Sequence, residues 1–257
     1  MARVKAANFD DRLTLVEHLD ELRSRLFIGG AALLVAATLC FWQNHLILEL
    51  ANGPLPEGFE PVTLSPAEPF LTTITLSLYG AILLALPIIL YQIYAFVLPA
   101  FSPTEKGVVL PLLLMVPFLF IGGVAFAYYV VTPAAVDFLL NFNSDEFNIQ
   151  VRAREYYSFF ALSLISVGIL FQIPVGILAV TRMGIVTPDQ LAHNRRYAFL
   201  IIAVLAMLLP GTDPVTMVIS MVPLLILFEF SIVLARVFGR ARQTSAELAR
   251  EPASGEG

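Results

Sequence analysis

The chain has 257 residues and a formal net charge of −5, and its mean hydropathy is +0.81. Hydrophobic residues make up 58% of the sequence and charged residues only 14%, whereas about 25% of the residues of a soluble domain are charged. This composition excludes an ordinary soluble protein and predicts a polytopic membrane protein, because crossing a hydrocarbon core of about 30 Å requires runs of about 20 apolar residues. The single cysteine, Cys40, excludes a disulfide within the chain.

Six apolar runs are candidate membrane spans. In chain order they occupy residues 26–46, 71–98, 108–131, 157–180, 197–209 and 215–235. The fifth run is short for a full crossing, and only the sequence PGTDP separates it from the sixth, so we expect these two runs to form a helical hairpin. Pro87 and Pro174 lie inside the second and fourth runs, where a proline removes a backbone hydrogen bond and bends the helix.

Lysine and arginine are unevenly distributed between the loops. They precede the first span, follow the sixth, and lie between spans two and three and between spans four and five. The remaining loops contain only Arg152 and Arg154. Because the loops on the cytoplasmic side carry the excess of cations, both termini are predicted to be cytoplasmic, in agreement with an even number of spans.

Polar segments flank the apolar region at both ends. Residues 1–13 are predicted to be a polar N-terminus, and residues 14–239 to contain a short amphipathic helix followed by the six spans. Residues 240–257 are polar and rich in small side chains, so they are predicted to be a disordered cytoplasmic tail. The predicted fold class is an all-α membrane protein.

Three loops contain the sequence signature of a capping box with proline at the first helical position. These are residues Ser65 to Glu68, Ser102 to Glu105 and Thr187 to Gln190. Thr132 and Asp213, each followed by proline, are predicted to be simpler N-caps. Pro54 belongs to the stretch PLPEGFEP, which is predicted to form a stiff turn.

The segment HLDELRSRLF, residues 18–27, lies directly before the first apolar run. Its leucines fall at helical spacing, and its carboxylates share the opposite face. One interpretation is an interfacial anchor helix, stabilised by Glu21–Arg25 and Asp20–Arg23 ion pairs that contribute about 0.2–0.5 kcal/mol each. An anchor on an anionic inner leaflet should instead present cations. The carboxylates therefore favour a second interpretation, a site for a cationic partner.

Glu105 is the only acidic residue of the loop between the second and third spans. As the last residue of a predicted capping box it also has a structural explanation, because a carboxylate stabilises the positive end of a helix. It is expected to face the same compartment as Glu21. Two carboxylates there could bind a ligand with two arginines, since guanidinium and carboxylate groups pair as bidentate forks.

Two polar side chains lie within the predicted spans. Gln172, in the fourth span, either hydrogen-bonds a neighbouring helix or marks a polar site that faces a partner. Glu229, in the sixth span, is either a functional intramembrane carboxylate or a group that extends toward Arg236. The sequence shows no metal-ligand spacing and no nucleotide-binding or zinc-protease motif, so we expect no cofactor, no metal and no enzymatic activity.

Four motifs occur in order along the chain. They are HLDELRSRL before the first span, SPAEPF before the second, LPIILYQIYAFVLPAFSPTEK across the end of the second, and LLPGTDP between the last two. Together they resemble the TatC family, the multispanning receptor subunit of the bacterial twin-arginine protein translocase, over residues 14–239. The resemblance implies six transmembrane helices in a curved, concave bundle, located in the cytoplasmic membrane of a prokaryote.

The resemblance also implies a function and the residues that perform it. TatC family proteins bind the twin-arginine signal peptides of folded proteins, and the two acidic positions of the family correspond here to Glu21 and Glu105. Supporting positions in the same motifs are His18, Arg23, Phe96 and Pro99, and Pro54 corresponds to the proline of the first external loop.

Partners follow from the same resemblance. Single-span membrane proteins of the TatA and TatB type are expected to dock on the fifth and sixth helices, in a lipid bilayer and in a complex that contains several copies of the chain. Export is expected to use the proton-motive force. No nucleic acid is expected among the partners. Two features depart from the family pattern: many relatives have a glutamate where this chain has Gln172, and Pro210 and Met217 replace polar residues that some relatives use in partner contacts.

A secondary transporter of a small solute is the main alternative function, with Gln172 and Glu229 lining a polar site at the midplane of the membrane. Many such transporters consist of two related halves with interrupted helices at corresponding positions, and no internal repeat is evident in this sequence. An intramembrane protease is a weaker alternative, because it requires a second acid, or a serine with a histidine, in addition to Asp213.

Overall fold

The computed structural model describes residues 15–97, 106–182, 184–211 and 213–248. Within these ranges the chain forms ten α-helices: α1 (Leu15–Trp42), α2 (Asn44–Asn52), α3 (Glu68–Val97), α4 (Lys106–Phe126), α5 (Thr132–Asn141), α6 (Ala153–Leu170), α7 (Ile173–Arg182), α8 (Pro188–His193), α9 (Arg195–Met207) and α10 (Pro214–Leu248). The only β-type pairing in the described residues is an isolated bridge between Val62 and Arg152. The predicted all-α fold class is confirmed.

Five helical segments of the described residues are long and apolar enough to cross a membrane. They are Leu19–Trp42, Glu68–Phe96, Leu114–Asn141, Ala153–Thr181 and Pro214–Arg236. At most 39% of the apolar window of any of these segments is buried inside the protein, so the remaining apolar surface is suited to contact with lipid. The predicted fifth span, 197–209, corresponds to α9, which has 13 residues and is shorter than the roughly 20 residues of a full crossing.

The amphipathic N-terminal segment is not a separate helix. Residues 18–27 belong to α1, which continues without a break from Leu15 to Trp42. The reason is local, because this segment contains no proline or glycine and is rich in strong helix formers such as leucine, arginine and glutamate. The first span therefore ends at Trp42 and not at residue 46, and the short helix α2 follows from Asn44.

The third membrane segment, predicted as 108–131, ends ten residues later, at Asn141. A π-helical turn, Ala127–Val131, joins α4 directly to α5, which ends at Asn141. The predicted N-cap at Thr132 is wrong, since this residue has helical dihedral angles of φ −65° and ψ −47° and lies within the continuous helix. The wider π-turn explains why Pro133 does not end the helix, because its ring and missing N–H fall where the regular hydrogen-bond ladder is already interrupted.

The fourth membrane segment is bent where the sequence predicts a bend. Helix α6 ends at Leu170 and α7 begins at Ile173, so Phe171 and Gln172 lie in a short break. Pro174 has no N–H to donate to the carbonyl of Leu170, four residues earlier, which explains the position of the interruption.

The last helix extends beyond the predicted domain boundary. Helix α10 runs from Pro214 to Leu248 and passes through Gly239, so residues 240–248 are helical and not the start of a disordered tail. The sequence RARQTSAEL at this end contains no proline and several strong helix formers. Residues 249–257 lie outside the described part of the chain.

The largest core cluster is built around α6. Tyr156 and Tyr157 are buried in this cluster near the start of α6, and each donates a hydrogen bond to the end of α2. The Tyr156 hydroxyl donates to the carbonyl of Ala51 at 2.6 Å, and the Tyr157 hydroxyl donates to Oδ1 of Asn52 at 2.9 Å. These bonds satisfy polar groups that would otherwise be costly to bury, and they fix α2 against α6.

A buried carboxylate fixes the start of α3. Glu68 is 4% exposed, and its Oε1 accepts a hydrogen bond from Nε of Arg152 at 2.9 Å. Its Oε2 accepts the N–H of Leu64 at 2.9 Å, and the N–H of Glu68 donates to the main-chain carbonyl of Ser65 at 3.0 Å. The capping box predicted from Ser65 to Glu68 is therefore not formed, and the helix begins at Glu68. The hydrogen bond and charge of Glu68 raise the pKa of the Arg152 guanidinium above its usual range.

Candidate functional site

The predicted recognition residue Glu21 lies on α1 and is paired with Arg25 one turn later. Its Oε1 accepts hydrogen bonds from Nε of Arg25 at 3.0 Å and from Nη2 at 2.5 Å. The side chain of Glu21 is 26% exposed and that of Arg25 is 24% exposed. The predicted Glu21–Arg25 ion pair is therefore confirmed, and a guanidinium of the chain itself already contacts the carboxylate.

Arg25 also connects α1 to α3. Its Nη1 donates a hydrogen bond to Oε1 of Gln92 at 3.1 Å, so three nitrogens of one guanidinium contact two side chains. Gln92 was not among the predicted site residues. The sequence contains a signal that could have identified it, because Gln92 is a lone amide in the apolar run LPIILYQIYAF near the end of the second span.

The neighbouring charges of α1 have other surroundings. The guanidinium of Arg23 lies over the ring of Phe27, 5.7 Å from its centroid, in the range of a cation–π contact. The predicted Asp20–Arg23 ion pair is not formed, and Asp20 is exposed. Arg23 therefore packs along the apolar start of the first span and does not neutralise the acidic face.

An apolar groove of about 530 Å³ lies between α1 and α3 beside the Glu21–Arg25 pair. We call it the α1–α3 groove. Its apolar walls include Leu22, Leu26, Leu33, Ile89, Ile93 and Phe96, and Arg25 and Gln92 supply its polar groups. An extended or helical apolar segment with a cationic group at one end would fit such a combination of an apolar groove and an adjacent carboxylate.

The other predicted site residues are only partly described. Phe96 lines the α1–α3 groove together with Arg25. His18 belongs to the first turn of α1, whereas Pro99 and Glu105 lie outside the described residues. The structure thus brings Phe96 to the groove beside Glu21, and the predicted pairing of Glu21 with Glu105 stays a prediction.

Pro54 lies on the opposite side of the fold, in the turn that follows α2, where the N–H of Leu55 donates to the carbonyl of Asn52 at 3.0 Å. This observation confirms the turn that the sequence predicts around Pro54.

Gln172 makes the helix–helix contact that its first interpretation predicts. Its side chain lies in the break between α6 and α7, is 5% exposed, and donates through Nε2 to the carbonyl of Val116 on α4 at 3.3 Å. Its Oε1 is buried without a hydrogen-bond donor among the described residues. The amide therefore links α4 to the bend of the fourth segment.

Glu229 pairs with a residue other than the predicted one. Its Oε2 lies 2.9 Å from Nη2 of Arg195 on α9, while Arg236 lies 3.3 Å from Oδ1 of Asp189 on α8. The predicted Glu229–Arg236 contact is wrong, because the packing of α9 against α10 places a closer guanidinium beside the carboxylate. Among the described residues, no hydrogen bond or ion pair joins Glu229 to Gln172.

Sequence and structure comparisons agree on the family. The sequence model of the Sec-independent protein translocase protein (TatC) matches residues 17–223. A TatC protein of Aquifex aeolicus is 35% identical over 90% of this chain and 98% of its own length, and one of Desulforapulum autotrophicum is 33% identical over 94% and 91%. The chain belongs to the TatC family.

A solved structure supports this assignment at the level of the fold. A crystal structure of the twin-arginine translocase receptor TatC in DDM superimposes with a TM-score of 0.74 at 36% identity, covering 85% of this chain and 99% of that chain. A chloroplastic TatC of Arabidopsis thaliana is 34% identical over 90% of this chain and 68% of its own length. The chain is therefore a multi-pass subunit of the twin-arginine translocase, acts in a membrane complex with other components of that system, and is not an enzyme.

In this TatC family protein, Asp213 is a structural cap. The N–H of Thr216 donates to its Oδ1 at 2.7 Å, and the hydroxyl of Thr216 donates to its Oδ2. Asp213 is 5% exposed, so it starts α10 as the sequence predicts. No group of three or more metal-ligating side chains occurs among the described residues.

The role of Gln172 can be tested by a change of similar shape. We expect Gln172→Met to alter the free energy of unfolding by about 1 kcal/mol or less and to preserve export, because the Val116 carbonyl keeps its acceptor role in α4 and methionine fills the same space. Gln172→Ala should be less stable, since it leaves a cavity. Loss of export in a folded Gln172→Met protein would instead show that the polar group itself is used.

Proposed function

We propose that this protein is the signal-peptide receptor of its translocase, binding twin-arginine signal peptides of folded proteins at the face that carries Glu21. The observation that carries the proposal is the position of Glu21: a partly exposed carboxylate beside an apolar groove, already hydrogen-bonded to a guanidinium. A signal peptide offers the matching chemistry, namely two arginines next to an apolar segment. The solved relative named as the twin-arginine translocase receptor supports the same role.

Glu105 is the second carboxylate of the proposed site. The two arginines of the ligand would pair with Glu21 and Glu105, and the apolar part of the signal peptide would lie along the α1–α3 groove. A fork of two N–H groups on each carboxylate explains a requirement for arginine, because lysine presents a single point charge.

The remaining steps concern the membrane complex. We propose that both termini and the Glu21 face are cytoplasmic, that the protein resides in the cytoplasmic membrane of a prokaryote, and that several copies act together. The distribution of arginine supports this orientation, since Arg25, Arg195 and Arg236 all lie at the same end of the antiparallel helices. The occupied receptor would recruit partners of the TatA and TatB type, and export would draw on the proton-motive force.

The test is peptide binding to the purified protein in lipid nanodiscs. A twin-arginine signal peptide is compared with its twin-lysine counterpart, on the wild type and on Glu21→Gln and Glu105→Gln. Each substitution should weaken binding of the twin-arginine peptide about tenfold or more, the size expected for a lost charge-assisted hydrogen bond.

Asp20→Asn is the matched control, because Asp20 is exposed on the same turn of α1 and loses the same charge. It should change affinity by about twofold or less, as expected for a solvent-exposed charge. Equal affinity of the wild type for both peptides, or unchanged binding by both glutamate variants, would contradict the proposal.

A further inference from the structure

Arg25 contacts the carboxylate of Glu21, the group that the proposed ligand would bind. Two of its nitrogens contact the same carboxylate oxygen, Oε1, at 3.0 and 2.5 Å. A bidentate fork between a guanidinium and a carboxylate uses both oxygens of the carboxylate. A second guanidinium therefore cannot form a fork on Glu21 until Arg25 has moved away.

We infer that Arg25 is an internal competitor for Glu21 and that it lowers the affinity of the site for its cationic ligand. The inference rests on the proposed function, since it concerns the ligand of the same site. A ligand arginine that displaces Arg25 replaces one guanidinium by another, so Glu21 keeps its charge-assisted hydrogen bonds. A lysine ammonium lacks the planar fork, and it is a poor replacement for the contacts that Arg25 gives up.

Gln92 holds the competitor in place. Its Oε1 accepts from Nη1 of Arg25 at 3.1 Å, on the side of the guanidinium that does not contact Glu21. This bond adds to the cost of moving Arg25 while the site is empty.

The arrangement has a consequence for affinity. Because the ligand must exchange with Arg25, each binding event forms and breaks similar ion pairs, and the wild-type affinity is lower than an open Glu21 would give. The cost of displacing Arg25 is the same for either ligand, so the competitor lowers the affinity for arginine and for lysine by the same factor, and the preference for arginine comes from the fork on Glu21.

The experiment measures the dissociation constants of twin-arginine and twin-lysine peptides for the full-length protein in nanodiscs. Arg25→Gln should bind the twin-arginine peptide about twofold to fivefold more tightly, the size expected for loss of a partly exposed intrahelical ion pair. The twin-lysine peptide should gain by about the same factor, because the same competitor has been removed from both equilibria.

Two further variants separate competition from a simple change of charge. Gln92→Leu keeps every charge but removes one of the bonds that hold Arg25, so it should shift both constants in the same direction as Arg25→Gln and by a smaller factor. Arg196→Gln removes the same charge from an exposed residue on α9 that stacks on Tyr197, and it should leave both dissociation constants unchanged. Thermal unfolding of each variant verifies that it is folded.

The possible outcomes are distinct. A wild type that prefers arginine, with tighter binding of both peptides by Arg25→Gln and Gln92→Leu, supports the inference. Unchanged or weaker twin-arginine binding by these two variants overturns the inference and leaves the proposed function standing. A wild type without any preference overturns both.

Discussion

Replacing Arg152 with methionine is expected to lower the midpoint of thermal unfolding, because it leaves the carboxylate of Glu68 without its ion-pair partner. The partner, Glu68, is 4% exposed, whereas Arg152 is 39% exposed. Removing Arg152 leaves a carboxylate that water reaches poorly, with the N–H of Leu64 as a remaining donor. The partial exposure of Arg152 makes the expected loss smaller than the loss for a fully buried pair.

Cys40 provides the measurement. It is the single cysteine of the chain and is 3% exposed, so a thiol-reactive fluorophore should label it only when the helices separate on heating. Arg152→Met should show a clearly lower midpoint of labelling than the wild type. Arg154→Met is the matched control, because Arg154 is exposed two residues away, and its midpoint should stay close to that of the wild type.

A double variant distinguishes an unpaired charge from lost packing. Glu68→Gln combined with Arg152→Met removes both charges and keeps an acceptor for the N–H of Leu64. It should recover most of the stability that Arg152→Met loses, because a neutral pair of similar volume carries no desolvation penalty. Equal midpoints for Arg152→Met and Arg154→Met would show that the Glu68–Arg152 pair contributes little.

The Glu68–Arg152 pair stabilises the fold at a distance from the proposed binding site. It joins the start of α3 to the segment before α6, where the N–H of Ala153 also donates to the carbonyl of Val62 at 2.9 Å. This end of the fold is opposite to the α1–α3 groove. Below its unfolding midpoint, Arg152→Met should therefore bind a twin-arginine peptide as the wild type does.

Features that depend on neighbouring residues were predictable from the sequence. The capping box of Thr187 and Gln190 is formed, with reciprocal bonds of 2.9 and 3.2 Å, and Asp213 caps α10. The bend before Pro174 occurs at the expected place. Each of these follows from the chemistry of three or four consecutive residues, which acts in the same way wherever the helix lies in the fold.

Partners across the fold were not predictable, because they depend on which helices pack together. Arg25 contacts Gln92, 67 residues away, and Glu68 contacts Arg152, 84 residues away. A sequence read alone assigns a carboxylate to the nearest cation on its own helix, which is correct for Glu21 and wrong for Glu229. The difference is that Glu229 faces another helix, so tertiary packing decides its partner.

A close approach of two membrane helices, α4 and α6, predicts the second large effect. On α4, a Cβ atom added to Gly123 would lie 2.8 Å from Cγ of Phe171 and 3.0 Å from Cα of Gly168 on α6. The backbone of Gly168 cannot rotate away as a side chain can, so α4 and α6 would have to separate. We expect Gly123→Ala to lower the free energy of unfolding by about 1–3 kcal/mol, the usual cost of overpacking.

The adjacent glycine is a matched control on the same helix. A Cβ atom added to Gly122 would meet nothing within 4 Å, and alanine stabilises a helix relative to glycine by about 0.8–1.0 kcal/mol in host peptides. Gly122→Ala should therefore be neutral or slightly stabilising in the Cys40 labelling assay. The two variants add the same methyl group one residue apart, so only the contact between α4 and α6 distinguishes them.

Gly168→Ala completes the series. Its added Cβ would lie 2.7 Å from Cε2 of Phe120 and 3.1 Å from a methyl group of Val124, and both are side-chain atoms that can shift. The expected order of destabilisation is Gly123→Ala first, Gly168→Ala second and Gly122→Ala last. An equal loss in all three variants would contradict the contact between α4 and α6 as the cause of the loss at Gly123.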